Sequence, residues 1–326
     1  MNTGNKDEPD KNNLMDLLSG DNDIIPYLEL KDKANISATS KNFHRFFDGE
    51  LTKASAQEIL TQIINRNFDT VKKMLESNPR LLTIRETVID HSGRTITATP
   101  FQAALGAEDE DMWQLIETFF YRLPNGFALK QQQFRQQFPE GIMSESYNFS
   151  ELGRVFSKNK QLEQIILEFR EFFKPGNLEH GRHFDMLNII NAYKALNAKQ
   201  ESWSWKERSL FWINIIGYLK RLTPISYANV YYQDPLKPIP DSVNPTLCLR
   251  TESPLYPLEE NKGLGFDWGI SLESKGGKSS YEAISYRNWE PIEKLYENKT
   301  ALLQTLEEKL FPKELKDKNK NNCIIS

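Results

Sequence analysis

The 326-residue chain has few cysteines and histidines, the residues that form disulfides and bind metal ions in small domains. It has two cysteines, Cys248 and Cys323, and four histidines, which excludes a disulfide framework and a cysteine-based zinc site and indicates a reducing compartment. No apolar run reaches ~18 residues, so no transmembrane helix is predicted, and the polar first residues predict no secretory signal. The 41 Lys and Arg residues against 45 Asp and Glu give a net charge of −4, which removes the electrostatic basis for nucleic-acid binding.

What the chain does contain is enough apolar surface for a sizeable core, with 39% hydrophobic and 11% aromatic residues. Helical periodicity dominates, so we predict a mainly α-helical protein with a minor β component. The predicted organisation, in chain order, is a disordered arm over 1–13, a short helical bundle over 14–50, helix pairs with a hairpin over 51–125, an aromatic-rich helical domain over 126–311 and a flexible tail over 312–326.

A hairpin followed by a helix is the clearest local pattern in the middle of the chain. Residues 82–88 and 95–97 predict its two strands, and Gly93 supplies the left-handed position of the turn between them. Thr99 then predicts the N-cap of a new helix, and Pro100 occupies the favoured first helical position.

Residues 203–296 hold five of the six tryptophans and eight of the twelve tyrosines. Such rings can line a ligand cleft or build the core of an irregular, proline-rich domain, and we favour the core. Gly263 and Gly265 in this region lack the third glycine and the strand–helix context of a dinucleotide-binding loop. Cys248, flanked by leucines in a predicted strand over 246–250, is predicted to be a buried, inert thiol.

One histidine pair suggests a metal, in the sequence His-Gly-Arg-His over residues 180–183. His180 and His183 are three residues apart, but Gly181 disfavours the helix that would align the rings, and no further ligand pattern follows. We therefore predict a solvated turn and no metal site. No nucleophile-elbow, phosphate-loop, kinase or zinc-protease motif occurs, so neither a catalytic residue nor a cofactor is predicted.

The last four residues, Cys323-Ile324-Ile325-Ser326, form a prenylation box. The terminal serine favours a farnesyl group. One lipid alone binds membranes only marginally, on the order of 10⁴ M⁻¹, and the preceding lysines supply a second, electrostatic signal. We predict modification of Cys323 by a host prenyltransferase and membrane attachment through the lipid. The alternative is an unmodified, frayed tail.

The segment from residue 24 to residue 47 resembles an F-box. Residues 24–32 read Ile-Ile-Pro-Tyr-Leu-Glu-Leu-Lys-Asp, and residues 39–47 read Thr-Ser-Lys-Asn-Phe-His-Arg-Phe-Phe. In F-box proteins, the corresponding helices dock a Skp-family adaptor of cullin ubiquitin ligases. The resemblance implies six adaptor-contacting residues: Ile24, Ile25, Leu28, Leu30, Ile36 and Phe43. The alternative is a short helical bundle that caps the following domain.

Residues 67–82 and 90–106 resemble ankyrin-type repeats. The match rests on Asp90, Gly93, the Thr-Pro helix start and the small alanines that follow it. In ankyrin proteins such repeats present protein-binding surfaces and carry no chemistry. Fewer than the ~3 repeats of a free-standing solenoid are visible, so this part must pack against neighbouring elements. Partner recognition and a scaffold that joins the two ends of the molecule are both open.

Together, the F-box-like head, the ankyrin-like helix pairs and the prenylation box are similar to secreted effectors of Legionella and Coxiella. The stretch 218–269 also resembles an aromatic domain found beside ankyrin-like repeats in those effectors. The resemblance implies secretion into a host cell and a lipid-held position at the cytoplasmic face of a host membrane. We predict a non-catalytic adaptor that binds a host Skp-family protein and an unknown host protein. The alternatives are a lipid-anchored scaffold that sequesters a host protein, and an enzyme of unknown class in the aromatic region.

Overall fold

The computed structural model describes residues 28–39, 41–143, 147–156, 162–199, 201–204, 207, 211–227 and 289–312. Within these residues the chain is mainly helical with one small three-stranded sheet, which confirms the predicted fold class. Contacts divide the chain into a first unit that ends at Glu58 and a second that begins at Ile59. None of the described helices combines the length and the hydropathy that a membrane span requires.

Several sequence predictions concern residues outside these ranges. They are the disordered arm, the adaptor-contacting residues Ile24 and Ile25, the strand with Cys248, the glycines Gly263 and Gly265, and the tail with Cys323. They stay predictions from sequence.

The described part of the first unit is a pair of helices, which we call the helical head. It contains α1 (Leu30–Ser37) and the first part of α2 (Lys41–Ile64). Phe43 and Phe47 lie four residues apart, hence on one face of α2, and both are buried. Three partly buried side chains pack against this pair: Leu28, Ile36 and Leu51. The resulting cluster is the core of the head.

The second unit continues from the end of α2 through α3 (Phe68–Ser77), a 3-10 turn (Pro79–Thr83), β1 (Glu86–Ile89), β2 (Thr95–Ala98), α4 (Pro100–Gly106) and α5 (Glu110–Glu117). The hairpin is confirmed, but the predicted strand over 82–88 is wrong in its first half. The side chain of Asn78 accepts a hydrogen bond from the Arg80 amide at 3.2 Å and begins the 3-10 turn instead. The chain therefore becomes extended only near Glu86.

The hairpin turn is held by a buried carboxylate. Asp90 accepts hydrogen bonds from the backbone amides of Ser92 (2.8 Å) and Arg94 (3.0 Å). Gly93 has φ +87°, the left-handed conformation predicted for the turn. Beyond the hairpin, β3 (Asn177–Leu178) pairs parallel with β2, whereas β1 and β2 are antiparallel. The sheet thus joins the β1–β2 hairpin to a later part of the second unit.

Helix α4 lies at the centre of the second unit and begins with the predicted cap. The Thr99 hydroxyl accepts from the Gln102 amide (3.4 Å), and the Gln102 side chain accepts from the Thr99 amide (3.0 Å), which completes a capping box. All seven residues of α4 are buried, and Ala103 and Ala104 have no exposed surface. Their small side chains let neighbouring helices approach closely.

The remaining elements are helical apart from β3: a 3-10 turn (Phe120–Arg122), α6 (Gly126–Gln137), α7 (Phe149–Phe156), α8 (Leu162–Phe172), α9 (Leu187–Lys199), a π-helical segment (Trp212–Gly217) that continues into α10 (Tyr218–Arg221), and α11 (Trp289–Leu310). Their shared core is rich in aromatic side chains. Trp203, Tyr218, Tyr227 and Tyr296 are all buried in it. The preference for a core role is confirmed for these four residues.

Gly126 begins α6 where the chain passes against the backbone of Phe120. A Cβ atom at Gly126 would lie 1.9 Å from the Phe120 carbonyl oxygen, so the backbone would have to move. We expect Gly126→Ala to lower the free energy of unfolding by about 1–3 kcal/mol. Gly153 in α7 is the matched control, because a Cβ there would lie 3.9 Å from the Ala195 Cβ, an ordinary contact. Urea unfolding followed by circular dichroism measures both variants, and equal loss of stability would contradict the clash.

Candidate functional site

The structure describes four of the six predicted adaptor-contacting residues and gives them different environments. Phe43 is 5% exposed in the core of the helical head, and Leu28 and Ile36 are partly buried against this core. Leu30, in contrast, is 51% exposed. Phe46, which the sequence pattern did not single out, is 46% exposed. Leu30 and Phe46 are thus the large apolar side chains that the described head presents to solvent.

Two interactions fix the geometry of the head. Lys33 Nζ lies 2.7 Å from Glu50 Oε2 and links α1 to α2. The ring of Phe46 meets the buried ring of Phe47 edge-on, with 5.0 Å between the centroids. Because successive helical residues point about 100° apart, a Phe-Phe pair with one ring inside places the other outside, and this signal could have identified Phe46. An apolar side chain held in this way is preorganised for contact.

The second feature is a buried charged cluster in the second unit. It is centred on Glu108, which follows α4 after Ala107. Glu108 has φ +51° and is fully buried. Its carboxylate lies 3.3 Å from Arg182 Nη1, and the Tyr227 hydroxyl donates to it at 2.9 Å. Lys299 Nζ donates to the Glu108 carbonyl oxygen at 2.6 Å. The cluster therefore ties α4 to three segments that are distant in the sequence.

Protonation in this cluster follows from burial and from the nearby charges. Burial raises the pKa of Glu108, and the neighbouring Arg182 charge opposes this rise. Burial, together with the Glu108 carboxylate, raises the pKa of Tyr227 well above its usual range, so its hydroxyl stays a donor. The second Arg182 amino group, Nη2, donates to Thr300 Oγ1 of α11 at 3.0 Å. The guanidinium thus bridges Glu108 and α11.

A second buried ion pair lies in the neighbouring loop. Arg66, at φ +58° after α2, places its Nε 2.7 Å from Asp109 Oδ2 and its Nη2 3.1 Å from Asp111 Oδ2. Asp109 also caps α5 by accepting from the Met112 amide at 3.4 Å. Burial and the Asp109 charge raise the pKa of Asp111, while the Arg66 charge opposes them. This pair fixes the turn after α2 against the start of α5.

The predicted solvated turn over 180–183 is wrong in its second half. Arg182 and His183 are buried, whereas His180 is exposed. The His183 amide donates to the Gly106 carbonyl at 2.7 Å, and the Arg94 guanidinium donates to the His183 carbonyl. Burial lowers the pKa of His183 to about 3, and the Arg94 charge adds to the effect, so the ring is neutral near pH 7. Partners far away in the sequence bury this polar segment.

The same groups define what the cluster does chemically. Asp90, Glu108 and Asp109 each face an arginine at 3.3 Å or less, so their charges are compensated inside the fold. In the part of the chain that the structure describes, no three His, Cys, Asp or Glu side chains are grouped so that they could hold a metal ion. The cluster joins the loop between α4 and α5 to Tyr227 and to Lys299 of α11.

Comparisons with protein families, with curated proteins and with solved structures find no match to this chain. The F-box, ankyrin and effector resemblances therefore rest on the sequence motifs alone.

Proposed function

We propose that this protein is a non-catalytic adaptor that is secreted into a host cell, anchored to a host membrane by a lipid, and able to recruit a cullin ubiquitin ligase through a Skp-family protein. The observation that supports this proposal most is the exposure of Leu30 (51%) and Phe46 (46%) on a helical head whose Phe43 and Phe47 are buried. Protein-contact surfaces are built around large apolar side chains, and Leu30 and Phe46 are those that the described head exposes. The second unit would hold the host protein that is ubiquitinated.

The location in this proposal depends on the prenylation box at Cys323. A single lipid gives marginal membrane binding, and nearby basic residues strengthen it by attraction to anionic lipids. Four lysines lie upstream of the box: Lys313, Lys316, Lys318 and Lys320. Anchoring by the tail would hold the adaptor at the cytoplasmic face of the membrane, close to membrane-associated host proteins.

Recruitment by the head can be tested with substitutions at its exposed residues, which leave the core of the head intact. Leu30→Ala combined with Phe46→Ala is expected to lower the amount of Skp-family and cullin subunits copurified from host cells at least about tenfold, because central contact residues of this size contribute more than about 1 kcal/mol each. Tyr121→Ala combined with Leu167→Ala removes apolar side chains that are even more exposed from the second unit and is expected to leave the yield unchanged. Quantitative mass spectrometry of the copurified proteins is the measurement.

The same experiment separates the adaptor from the alternative. Cys323→Ser is expected to move the protein from the membrane fraction to the soluble fraction while the head retains its partner. Wild-type protein that copurifies no Skp or cullin subunit would refute ligase recruitment. A partner list unchanged by the Leu30 and Phe46 substitutions would favour a lipid-anchored scaffold, an alternative supported by the use of Phe43 and Ile36 inside the head core.

A further inference from the structure

A groove of about 810 Å³ lies between α7 and α9, away from the buried charged cluster and partly open to solvent. We call it the α7–α9 groove. Its volume falls in the range, roughly 300–1,000 Å³, of sites that enclose a ligand or an anchoring side chain. Six residues of its lining matter below: Tyr147, Gly153, Lys194, Ala195, Ala198 and Lys199.

Charge is distributed unevenly around this groove. The chain as a whole has a net charge of −4. Among the lining residues that the structure describes, in contrast, the charged side chains are those of Lys194 and Lys199. Glu293 of α11 pairs with Lys194 at 2.5 Å, so part of this charge is already compensated. Lys199 adds a second positive charge to the same wall. The groove is therefore complementary to a ligand that carries negative charge.

The surface also has an apolar side. The ring of Tyr147 lies 5.0 Å from the ring of Phe172, which is 67% exposed although it belongs to a large aromatic cluster. The lining between the helices is made of small residues, and a Cβ at Gly153 would be 3.9 Å from both Ala195 Cβ and Lys199 Cγ. Small side chains let a backbone approach closely, as in other tightly packed helix contacts. Aromatic rings and lysines together suit a chain segment with apolar and acidic side chains.

We propose that the α7–α9 groove binds an acidic, amphipathic peptide segment of a protein partner. Apolar side chains of the segment contact Tyr147 and Phe172, and a carboxylate pairs with Lys199. This inference goes beyond recruitment by the helical head, because it assigns a partner-binding surface to the second unit, and it holds whether or not the head binds a Skp-family protein.

The test is selection of random short peptides displayed on phage against the full-length chain. A parallel selection uses Gly153→Leu, whose larger side chain is intended to block the groove. Gly153→Ala is the control, because a Cβ atom at this position makes only ordinary contacts of 3.9 Å. Peptides recovered by wild type and Gly153→Ala but not by Gly153→Leu are expected to be enriched in Asp and Glu together with Leu, Ile or Phe. The best of them, labelled and measured by fluorescence anisotropy, is expected to lose at least about tenfold in affinity with Lys199→Glu.

Lys174→Glu is the matched charge reversal, since Lys174 is exposed and lies outside the groove, and it is expected to change the affinity less than twofold. Circular dichroism of Gly153→Leu checks that the helical content is retained. Three outcomes would overturn the proposal: no groove-dependent peptides, groove-dependent peptides without acidic enrichment, or equal effects of the two charge reversals. Lys199-dependent binding to anionic phosphatidylserine vesicles without any groove-dependent peptide would identify a lipid surface instead and would also overturn it.

Discussion

Replacing Arg182 with alanine is expected to lower the free energy of unfolding of the second unit by about 3–5 kcal/mol. The loss comes from Glu108, which is fully buried and would lose the guanidinium that lies 3.3 Å from its carboxylate. The Tyr227 hydroxyl would remain as an uncharged donor, and Lys299 would remain as a charge that acts on the carboxylate more weakly than Arg182 does. A contact between Arg182 and Thr300 of α11 would be lost in the same substitution.

Urea unfolding monitored by circular dichroism gives this change, and two further variants show its origin. Lys174→Ala breaks the ion pair with Glu171, both of whose side chains are largely exposed, and is expected to leave the unfolding midpoint within error. Glu108→Gln added to Arg182→Ala removes the uncompensated charge and is expected to restore part of the stability. An Arg182→Ala protein as stable as wild type would show that the buried pair makes no net contribution.

Local chemistry made parts of this fold predictable. The N-cap role of Thr99 and the left-handed turn at Gly93 depend on residues within a few positions of one another, and the structure has both. The same holds for the aromatic residues in the core, since Trp203 and Tyr227 have few places to bury their surface in a proline-rich region. Short-range patterns suffice where the determining contacts are short-range.

The candidate site was less predictable because its determining contacts are long-range. Arg182 and His183 look like members of a polar turn until Glu108, Gly106 and Arg94 are brought against them. No spacing rule links residues so far apart in a single sequence. The glutamate alone gave no hint either, because a lone acidic residue after a helix usually faces solvent.

The helical head shows a different limit. Few of its apolar side chains are buried. The F-box resemblance names contact residues without saying which of them form the core of the head. Phe43 is required for the head core, whereas Leu30 and Phe46 remain outside. The F-box resemblance of this segment stays a prediction, and burial shows which of its named residues are exposed.

His183 is expected to make the second unit less stable as the pH falls, by about 2 kcal/mol between pH 7 and pH 5. Burial holds its pKa at about 3 in the folded chain, against about 6.5 in the unfolded chain, so below pH 6.5 the unfolded state binds a proton that the folded state does not. Stability is thus highest above pH 6.5 and is lost towards pH 3. Glu108 acts in the opposite direction, because its raised pKa lets the folded state take up a proton first.

A comparison of variants isolates the histidine from these other groups. Wild type and His183→Gln, unfolded in urea at several pH values from 7 to 5, are expected to differ by a steadily decreasing amount as the pH falls, since glutamine does not titrate. His180→Gln, at an exposed position three residues earlier, is expected to follow the wild-type profile. Parallel profiles for wild type and His183→Gln would mean that His183 is protonated equally in the folded and unfolded chains. The ring would then be accessible to water, and the packing of the 180–183 segment against Gly106 and Arg94 would be wrong.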